Sequence, residues 1–382
     1  MKFIEDINLD NKKVILRLDL NVTIKNNEIV DDTKIKKSIP TIKYLLNRGC
    51  NILIMSHLGK IKTEEDKVNN SLKMVCVRLS ELLGQPVNFI SDTRGTELEQ
   101  SININRLTMM ENTRYEDYPL KKESSCDEEL SKYWASLGEV FINDAFGTSH
   151  RAHASNAGIS RYLESGYGFL IYEEVQGLDP VVHNIKQPFM VVMGGAKVDD
   201  KVALIETLIE ECDYLLVGGG IANTFLKASD KKIGSSLYSA EYVDKIKELI
   251  SKYPKKIYMP LDVVVQNGNN IETHDIDSVP LESCIYDIGP KTSKLYNDIL
   301  QNAKTVFVNG TMGMYENENF RNGTESLFRS LGTSPAIKIA GGGDAVASVN
   351  KLGYKDDFDF LSTGGGATLD YIAYKKLKCF EK

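Results

Sequence analysis

Short apolar runs alternate with longer amphipathic stretches along the whole chain. The runs of the first half lie at 14–20, 51–57, 87–91 and 140–144. Each is almost continuously apolar or β-branched, which is typical of strands in a parallel sheet covered by helices on both faces. The intervening stretches 34–48 and 72–83 predict helices, and Pro40 predicts a kink or a break in the first of them.

The second half repeats the pattern. Its apolar runs lie at 189–195, 214–220, 256–265, 305–310, 336–343 and 359–366, and most of them lead directly into glycine. Alternating strands and helices predict α/β units with right-handed crossovers. The sequence therefore predicts an α/β fold of two doubly wound, Rossmann-like domains with parallel sheets. Their join is expected near 166–178, where a glycine-containing loop leads into a hinge helix.

Composition narrows the class of protein. The 382 residues are 42% hydrophobic and 26% charged, enough for two domains that each bury a core. A net charge of −7 argues against general binding to nucleic acid. No cysteine lies in a CxxC pair, which argues against a zinc site or a dithiol redox site. Scattered single cysteines fit a reducing cytosol. The N-terminal residues lack an apolar core, and no run reaches the ~20 apolar residues of a membrane span. We expect a cytoplasmic protein without a membrane partner.

Glycine clusters at strand ends are the main chemical signal of the second half. They are Gly194-Gly195, Gly218–Gly220, Gly341–Gly343 and Gly364–Gly366. Ligands of open α/β sheets bind at the carboxyl ends of the strands, where glycine lets backbone N–H groups approach an anion closely. The Walker-A pattern is absent, and the dinucleotide pattern G-x-G-x-x-G is only approached. A phosphate site is therefore favoured over a nicotinamide site.

Charged residues beside these glycines sharpen that interpretation. Lys197 and Lys201 follow the first cluster one helical turn apart, so both can point at the same anion. Asp344 directly follows the third cluster at a helix start, where it is either an N-cap or a ligand of a phosphate-bound Mg²⁺. Glu316 is either an ordinary surface acid or an acceptor for a ribose hydroxyl.

Polar and basic residues also end the strands of the first half. Those residues are Arg17, Asp19, Asn21, His57, Lys60, Arg114, His150, Arg151 and His153. Each alone is unremarkable, because a lone arginine or histidine at a strand end is usually solvated or ion-paired. Together these groups predict a pocket for a compound that carries both phosphate and carboxylate, with Asp19 and Asn21 bonded to its hydroxyls. The residues expected around that pocket are Arg114, Arg151, His57, His150 and Lys60.

These motifs resemble one family. The segments RLDLNV, PTIKYLL, SHLGK, NDAFGTSHRAHAS, GGAKVDDK, GGGIANTFLK, DIGPKT, VNGTMGMYE, GGGD and STGGGA occur in the order and spacing of phosphoglycerate kinases. The match runs from Lys13 to about Asp370, and NDAFGT-x-HRAHAS and GGAKV-x-DK are its most specific parts. The sequence is thus similar to a glycolytic kinase family.

The resemblance implies a reversible phosphoryl transfer from 1,3-bisphosphoglycerate to ADP, giving 3-phosphoglycerate and ATP. It implies an N-terminal domain at 1–168 that binds 3-phosphoglycerate and a domain at 169–366 that binds Mg²⁺ and nucleotide. A segment at 367–382 is expected to pack back on the N-terminal domain. A monomer is expected, as in the family.

Site residues are carried over position by position. The substrate positions are Asp19, Asn21, Lys34, His57, Lys60, Arg114 and Arg151. The nucleotide positions are Gly195, Lys197, Lys201, Gly219, Asn309, Glu316, Gly343 and Asp344, with Asp344 also the metal ligand. The positions implied in catalysis are Lys34, Arg151, Lys197, Gly365 and Gly366.

Several positions depart from the family pattern. Lys34 stands where the family has an arginine considered catalytic, and Lys60-Ile61 replaces Arg-Pro. Lysine keeps the charge but loses the bidentate fork of arginine. The other departures, Thr311, Ala345 and Ile285-Tyr286, lie at positions expected near the adenine.

Two other functions compete with an active phosphoglycerate kinase. One is a related enzyme that acts on another carboxylate or acyl phosphate, and the other is a ligand-binding homologue with low activity. Lys197, Lys201 and Asp344 argue against the latter, because a protein without turnover is free to lose them.

Overall fold

The computed structural model describes residues 1–199 and 201–380, which form two compact units. The first unit is Met1–Val175 together with the C-terminal residues from Lys376, and the second is Gln176–Lys375.

The first unit contains a parallel sheet with helices between its strands. Its strands are β1 (Lys13–Leu18), β2 (Ile24–Lys25), β3 (Glu28–Ile29), β4 (Asn51–Met55), β5 (Asn88–Ile90), β6 (Leu107–Met110), β7 (Val140–Asp144) and β8 (Glu164–Tyr167). Its helices are α1 (Thr33–Asn47), α2 (Glu64–Asn69), α3 (Lys73–Leu83), α4 (Thr96–Ile104), α5 (Glu128–Ala135) and α6 (Phe169–Val182), of which α6 continues into the second unit. Single turns of 3₁₀ helix lie at Ile4–Asp6, Thr113–Asp117, Phe146–Thr148, Ile159–Arg161 and Lys378–Phe380, and a π-helical turn lies at Ala154–Gly158.

Both faces of this sheet are buried, which explains its continuous apolar runs. The strand order is β5-β6-β4-β1-β7-β8, and the pairs are parallel. Successive side chains of β1 enter different cores, because Leu16 packs with Ile54 and Ile142 on one face while Ile15 packs with Phe141 on the other. The predicted parallel α/β sheet is confirmed. The carboxyl ends of β1, β4, β6 and β7 consequently lie along one edge.

Pro40 does not interrupt the first helix. The sequence predicted a kink or a break there, but α1 is assigned as one helix from Thr33 to Asn47. Its buried face carries Ile35, Ile42 and Leu45. Packing of this apolar stripe on the sheet offsets the hydrogen bond that proline cannot donate.

The second unit contains a second parallel sheet and a small antiparallel one. Its strands are β9 (Phe189–Met193), β10 (Tyr214–Val217), β11 (Ile257–Tyr258), β12 (Asp262–Asn267), β13 (Asn270–Asp275), β14 (Cys284–Ile288), β15 (Thr305–Asn309), β16 (Ile337–Ala340) and β17 (Phe360–Leu361). Its helices are α7 (Val202–Glu211), α8 (Gly219–Ala228), α9 (Val243–Lys252), α10 (Pro290–Leu300), α11 (Asn322–Thr333), α12 (Gly343–Leu352) and α13 (Gly366–Tyr374), with 3₁₀ turns at Ala240–Tyr242, Ile276–Ser278, Glu318–Phe320 and Lys355–Asp357. The parallel order is β11-β10-β9-β15-β16-β17.

The antiparallel sheet, of order β13-β12-β14, was not predicted. The run 256–265 is not one strand: β11 and β12 lie on either side of Pro260 and join different sheets. Proline cannot donate to a strand ladder, so the break falls where the sequence allows it. β12 and β13 form a hairpin whose two-residue loop begins at Gly268, with a φ of +58°. That conformation favours glycine.

The boundaries of the units differ from the predicted ones. The first boundary falls inside α6, after Val175, and not at 168. The second follows Lys375, because α13 packs on α7, where the Thr207 hydroxyl donates to the Ala373 carbonyl over 3.1 Å. Residues after α13 join the first unit: the Cys379 N–H donates to the Ser149 carbonyl over 3.1 Å. The ligand of each domain stays a prediction.

The cysteines and the helix lengths add two general facts. All six cysteines are free thiols, of which Cys126 and Cys284 are partly exposed. None of the helices in residues 1–199 and 201–380 is long and apolar enough to cross a bilayer.

Candidate active site

The first unit brings Asp19, Asn21 and Lys34 together at the carboxyl end of β1. The Lys34 ammonium, on the first turn of α1, donates to Oδ2 of Asp19 over 2.9 Å. Burial raises the pKa of Asp19, but the Lys34 charge and hydrogen bond outweigh it, and the net pKa is lowered. Oδ1 of Asn21 accepts the N–H of Gly59 over 2.9 Å and so ties the loop after β1 to the loop after β4.

His57 follows β4 and is buried against the end of β1. Its Nδ1 lies 3.3 Å from a terminal nitrogen of the Arg17 guanidinium, which is itself fully buried. Burial lowers the pKa of His57 well below its usual range, and the charge of Arg17 lowers it further. His57 is therefore a neutral imidazole at physiological pH.

Arg114 and Arg151 add positive charge to the same edge. Nε of Arg114 is buried and has no hydrogen-bond partner in the described part of the chain. Arg151 is exposed, and its Nε donates to Nε2 of His150 over 3.0 Å. Burial lowers the pKa of His153 to about 3, and the charges of Arg17, Arg114 and Arg151 act in the same direction. This density of cationic groups suits a ligand with several anionic oxygens.

Lys60 is the least integrated of the predicted substrate residues. Its side chain is exposed and forms no ion pair with residues 1–199 or 201–380. Sequence reasoning noted Arg17 at a strand end without giving it a role, and it did not name the buried residues Glu123 and Ser155. A role for Arg17 could have been inferred, because arginine near the end of a buried parallel strand requires compensation.

In the second unit, the glycine-containing loops that follow the strands contact one another at the carboxyl edge of the parallel sheet. The Gly194 N–H donates to the Asn309 carbonyl and the Gly195 N–H to the Thr311 carbonyl, over 2.8 and 3.0 Å. A Cβ on Gly220 would lie 2.0 Å from the Ala196 carbonyl oxygen. The loops after β9, β10 and β15 thus pack backbone against backbone, which glycine alone permits.

These loops border a cavity of about 720 Å³, within the usual range for small-molecule sites. Its lining contains Gly195, Gly219, Gly220, Glu316 and Asp344, together with Asn223, Leu237, Ile285, Tyr286 and Tyr315. The first group joins glycine backbone to carboxylates, and the second group is mainly apolar and aromatic. Such a division fits a ligand with a flat apolar part and a charged part. Asn223 and Tyr315 lie within the motifs GGGIANTFLK and VNGTMGMYE but were not singled out, and nothing in the local sequence marks Leu237.

Lys197 and Lys201 do not share a helical turn. Both precede α7, which begins at Val202. Lys201 is buried, and its ammonium donates to the Gly194 carbonyl over 2.7 Å. Lys197 is exposed and has no ion pair with any described residue. The predicted helical spacing is therefore wrong, because both lysines precede the helix. That both lysines act on one anion stays a prediction.

Asp344 lies at the start of α12, but it is not the N-cap. Gly342 is the N-cap, with a φ of +92°, and Asp344 is the second residue of the helix after Gly343. Its carboxylate is exposed, lines the cavity and forms no ion pair in the described part of the chain. The helix dipole favours a carboxylate at this position. Glu316 is exposed on another wall of the cavity.

Asn309 and the glycines before α13 organise the remaining edge. Asn309 is buried, and its Nδ2 donates to the Gly341 carbonyl over 2.7 Å, so it joins β15 to the loop before α12. Gly365 is the N-cap of α13, with a φ of +56°, and Gly366 is its first residue. The N-termini of α12 and α13 thus both lie at this edge, where backbone N–H groups suit an anion.

The departures in this unit divide into two groups. Ile285, Tyr286 and Thr311 line the cavity, and the Tyr286 ring packs on Phe320 with centroids 5.0 Å apart. Ala345 is fully buried in α12 and is absent from the lining of the cavity. The part of the cavity that contains Ile285, Tyr286 and Thr311 is therefore where this chain departs from the family pattern.

Comparison with known proteins identifies the family. The model of the phosphoglycerate kinase family matches residues 4–375. The chain is 46% identical to the phosphoglycerate kinase of Macrococcus caseolyticus and 47% identical to that of Enterococcus faecalis. Each alignment covers 98% of this chain and 97% of the relative.

Solved structures agree. The phosphoglycerate kinase of Coxiella burnetii superposes with a TM-score of 0.87 at 35% identity, over 98% of this chain and 97% of that one. The enzyme of Pyrococcus horikoshii gives a TM-score of 0.84 at 31% identity, over 99% and 97%. The predicted two-domain α/β fold and the predicted phosphotransferase class are confirmed. This chain belongs to the phosphoglycerate kinase family.

Proposed function

We propose that this chain catalyses reversible phosphoryl transfer between 1,3-bisphosphoglycerate with ADP and 3-phosphoglycerate with ATP, as a cytoplasmic monomer in glycolysis. The first unit binds 3-phosphoglycerate and the second binds the nucleotide. Little covalent chemistry is required of the protein in such a transfer, which depends on positioning and on stabilisation of charge.

In the first unit, Arg114, Arg151 and His57 bind the anionic groups of 3-phosphoglycerate. The unpartnered Nε of Arg114 and the exposed Arg151 guanidinium support this assignment. Asp19 and Asn21 bond to the substrate hydroxyl. Lys34 acts at the reacting carboxylate from its place beside Asp19, and Lys60 supplies a more distant charge.

In the second unit, the apolar wall of the cavity holds the base. Glu316 accepts from the ribose, while the loops with Gly195 and Gly219 lie along the phosphates. Lys201 and Asn309 hold those loops in place, and Lys197 reaches the transferring phosphoryl group. The N-termini of α12 and α13, at Gly343 and at Gly365-Gly366, stabilise its developing charge.

Mg²⁺ fits the carboxylate of Asp344. No group of three or more histidine, cysteine or acidic side chains in the described residues forms a site that could hold a metal by itself. A single free carboxylate at the rim of a phosphate site is the arrangement that Mg²⁺ uses when water and phosphate oxygens supply its other ligands. Bound there, the ion would neutralise phosphate charge.

One observation carries the proposal: four strand-end loops of the second unit, after β9, β10, β15 and β16, converge on a cavity that has glycine backbone, a free carboxylate and an apolar wall. An assay of 3-phosphoglycerate with ATP, coupled to reduction of the acyl phosphate product, tests it. We expect turnover that requires both substrates and Mg²⁺. Turnover only with another carboxylate would indicate a related enzyme, and binding without turnover would indicate a ligand-binding homologue.

A further inference from the structure

A cation is buried beneath the substrate site of the first unit. Arg17 lies in β1 and has no solvent-exposed surface. A buried guanidinium is costly unless its charge and its donors are compensated. One terminal nitrogen of Arg17 donates to the Leu18 carbonyl. The remaining donors face Ser155 and His57.

A hydroxyl connects this cation to a buried carboxylate. Nε of Arg17 donates to Oγ of Ser155 over 2.9 Å, and that hydroxyl donates to Oε1 of Glu123. The Ser155 N–H donates to Oε2 of the same carboxylate over 2.9 Å. Burial raises the pKa of Glu123, while Arg17 and the bonds from Ser155 oppose that effect. Glu123, Ser155 and Arg17 thus form a continuous hydrogen-bonded row, which ends at Nδ1 of His57.

The row determines which nitrogen of His57 carries a proton. Arginine can only donate, so the Nδ1 atom that faces Arg17 has to be the unprotonated acceptor. The proton of the neutral ring then resides on Nε2. Three cations, Arg17, Arg114 and Lys34, disfavour an imidazolium at His57. The carboxylate of Asp19 acts in the opposite direction.

We propose that Glu123 and Ser155, acting through Arg17, are positioning residues that keep His57 neutral and protonated at Nε2, so that it donates to an oxygen of 3-phosphoglycerate. The role in substrate binding rests on the proposed function, whereas the protonation state of the ring does not. Because such a donor binds ground state and transition state alike, its loss raises KM and leaves kcat nearly unchanged.

Nitrogen NMR of the free enzyme, labelled in its five histidine rings, tests the protonation state directly. The His57 signals are assigned by their absence from a His57→Gln variant. We expect one protonated nitrogen, Nε2, at neutral pH. An imidazolium, or a ring protonated at Nδ1, would overturn the proposal even if the enzyme is fully active.

Ser155→Ala breaks the row at its centre. Without Oγ, Nε of Arg17 loses its acceptor, and the 3.3 Å contact with His57 is then the one side-chain hydrogen bond that Arg17 keeps among the described residues. We expect a mixture of ring tautomers and a KM for 3-phosphoglycerate raised roughly 2- to 10-fold, as for one neutral hydrogen bond. The KM for ATP and kcat should stay within about two-fold.

Ser160→Ala is the matched control. Ser160 is also buried, and its hydroxyl donates to the Ala157 carbonyl over 3.0 Å, which is a bond outside the row. Glu123→Gln is a second break in the row, because it removes the charge that balances Arg17 and keeps the size of the side chain. Ser155→Thr retains the hydroxyl and should restore both the tautomer and the KM.

The two readouts distinguish the possible failures. Equal effects of Ser155→Ala and Ser160→Ala, or a parallel loss of kcat and of ATP binding, would show a structural role only and reject the proposal. If Ser155→Ala does not fold, Glu123→Gln and the wild-type spectrum decide it. If His57 is protonated at Nε2 but the enzyme neither binds nor converts 3-phosphoglycerate, the proposed function is refuted. The proposed positioning of the ring would then still hold.

Discussion

The ammonium of Lys34 lies 2.9 Å from Oδ2 of Asp19. The Lys34 side chain is 39% exposed and that of Asp19 only 9%. The pair therefore lies at the surface of the site, with its cation still accessible to a ligand. This geometry links two predicted substrate residues and shows what lysine does at a position where the family has arginine.

We expect Lys34→Arg to raise kcat with 3-phosphoglycerate. A guanidinium can keep the bond to Asp19 and still offer further donors to the reacting carboxylate, whereas an ammonium is a single point charge. One hydrogen bond to a charged group contributes ~1.5–3 kcal/mol, which corresponds to about 10- to 100-fold in rate. Steady-state kinetics at saturating ATP measure this. Lys36→Arg is the control, since Lys36 lies on the same helix as Lys34 and pairs with Asp32 at the helix N-cap. An unchanged or lower kcat would mean that the pocket has been rebuilt around lysine.

Lys197→Ala should lower kcat far more than it weakens nucleotide binding. Lys197 is exposed and carries no ion pair in residues 1–199 and 201–380, so its charge is available to the transferring group. The loss of an interaction made mainly in the transition state lowers kcat, and we expect a decrease of about 10- to 100-fold here. Turnover and ATP binding are compared with those of Lys232→Ala, another exposed lysine. A kcat within a few-fold of the parent contradicts the assignment.

Asp344→Asn should weaken binding of Mg-ATP and leave binding of 3-phosphoglycerate nearly unchanged. The carboxylate lines the cavity of the second unit, while the basic cluster belongs to the first. Titration calorimetry with each ligand separates the two effects. Asp356→Asn, which changes an exposed acid outside the cavity lining, should alter neither. Equal losses for both ligands would indicate a folding defect.

His153 should make the first unit sensitive to acid. Its pKa in the folded chain is about 3, whereas an unfolded histidine titrates near 6.5. The unfolded chain therefore binds the extra proton first, and the free energy of unfolding falls as pH drops from about 6.5 towards 3, by ~1.4 kcal/mol per pH unit.

His153→Gln removes this titration. Between pH 6 and pH 4.5, the wild type should lose about 2 kcal/mol more than the variant. Urea unfolding followed by fluorescence measures it, because the only tryptophan, Trp134, is buried in the core of this unit. His183→Gln, at an exposed histidine, should behave as the wild type. Parallel pH profiles for His153→Gln and the wild type would show that burial does not keep His153 neutral.

The sequence predicted most of the parallel sheets and the edge that carries the site. Runs such as 51–57 and 305–310 are apolar because both faces of each strand are buried, and the glycines after β9 and β10 are required where loops touch. These are local constraints, so they are visible in a single chain. Proline at 260 and glycine at 268 are also local signals, for a strand break and for a turn. They were not used because the run 256–265 was interpreted as one strand.

The remainder depends on contacts between distant segments. Nothing near Lys197 and Lys201 indicates that one is exposed and the other bonded to the Gly194 carbonyl. Likewise, Glu123 and Arg17 are 106 positions apart, and only the fold places Ser155 between them. Tertiary packing determines such contacts. The helix and strand propensities of the individual residues do not predict it.

The contact between Cys379 and Ser149 has a consequence for biosynthesis. The first unit is discontinuous, because the segment from Lys376 is translated only after all of Gln176–Lys375. During synthesis, domains generally fold from the N-terminal side. The loop that carries Arg151 therefore emerges from the ribosome without the backbone partner that later binds Ser149. The first unit is therefore complete only after about 200 further residues have been translated, which takes roughly 10 to 40 seconds at about 5–20 residues per second.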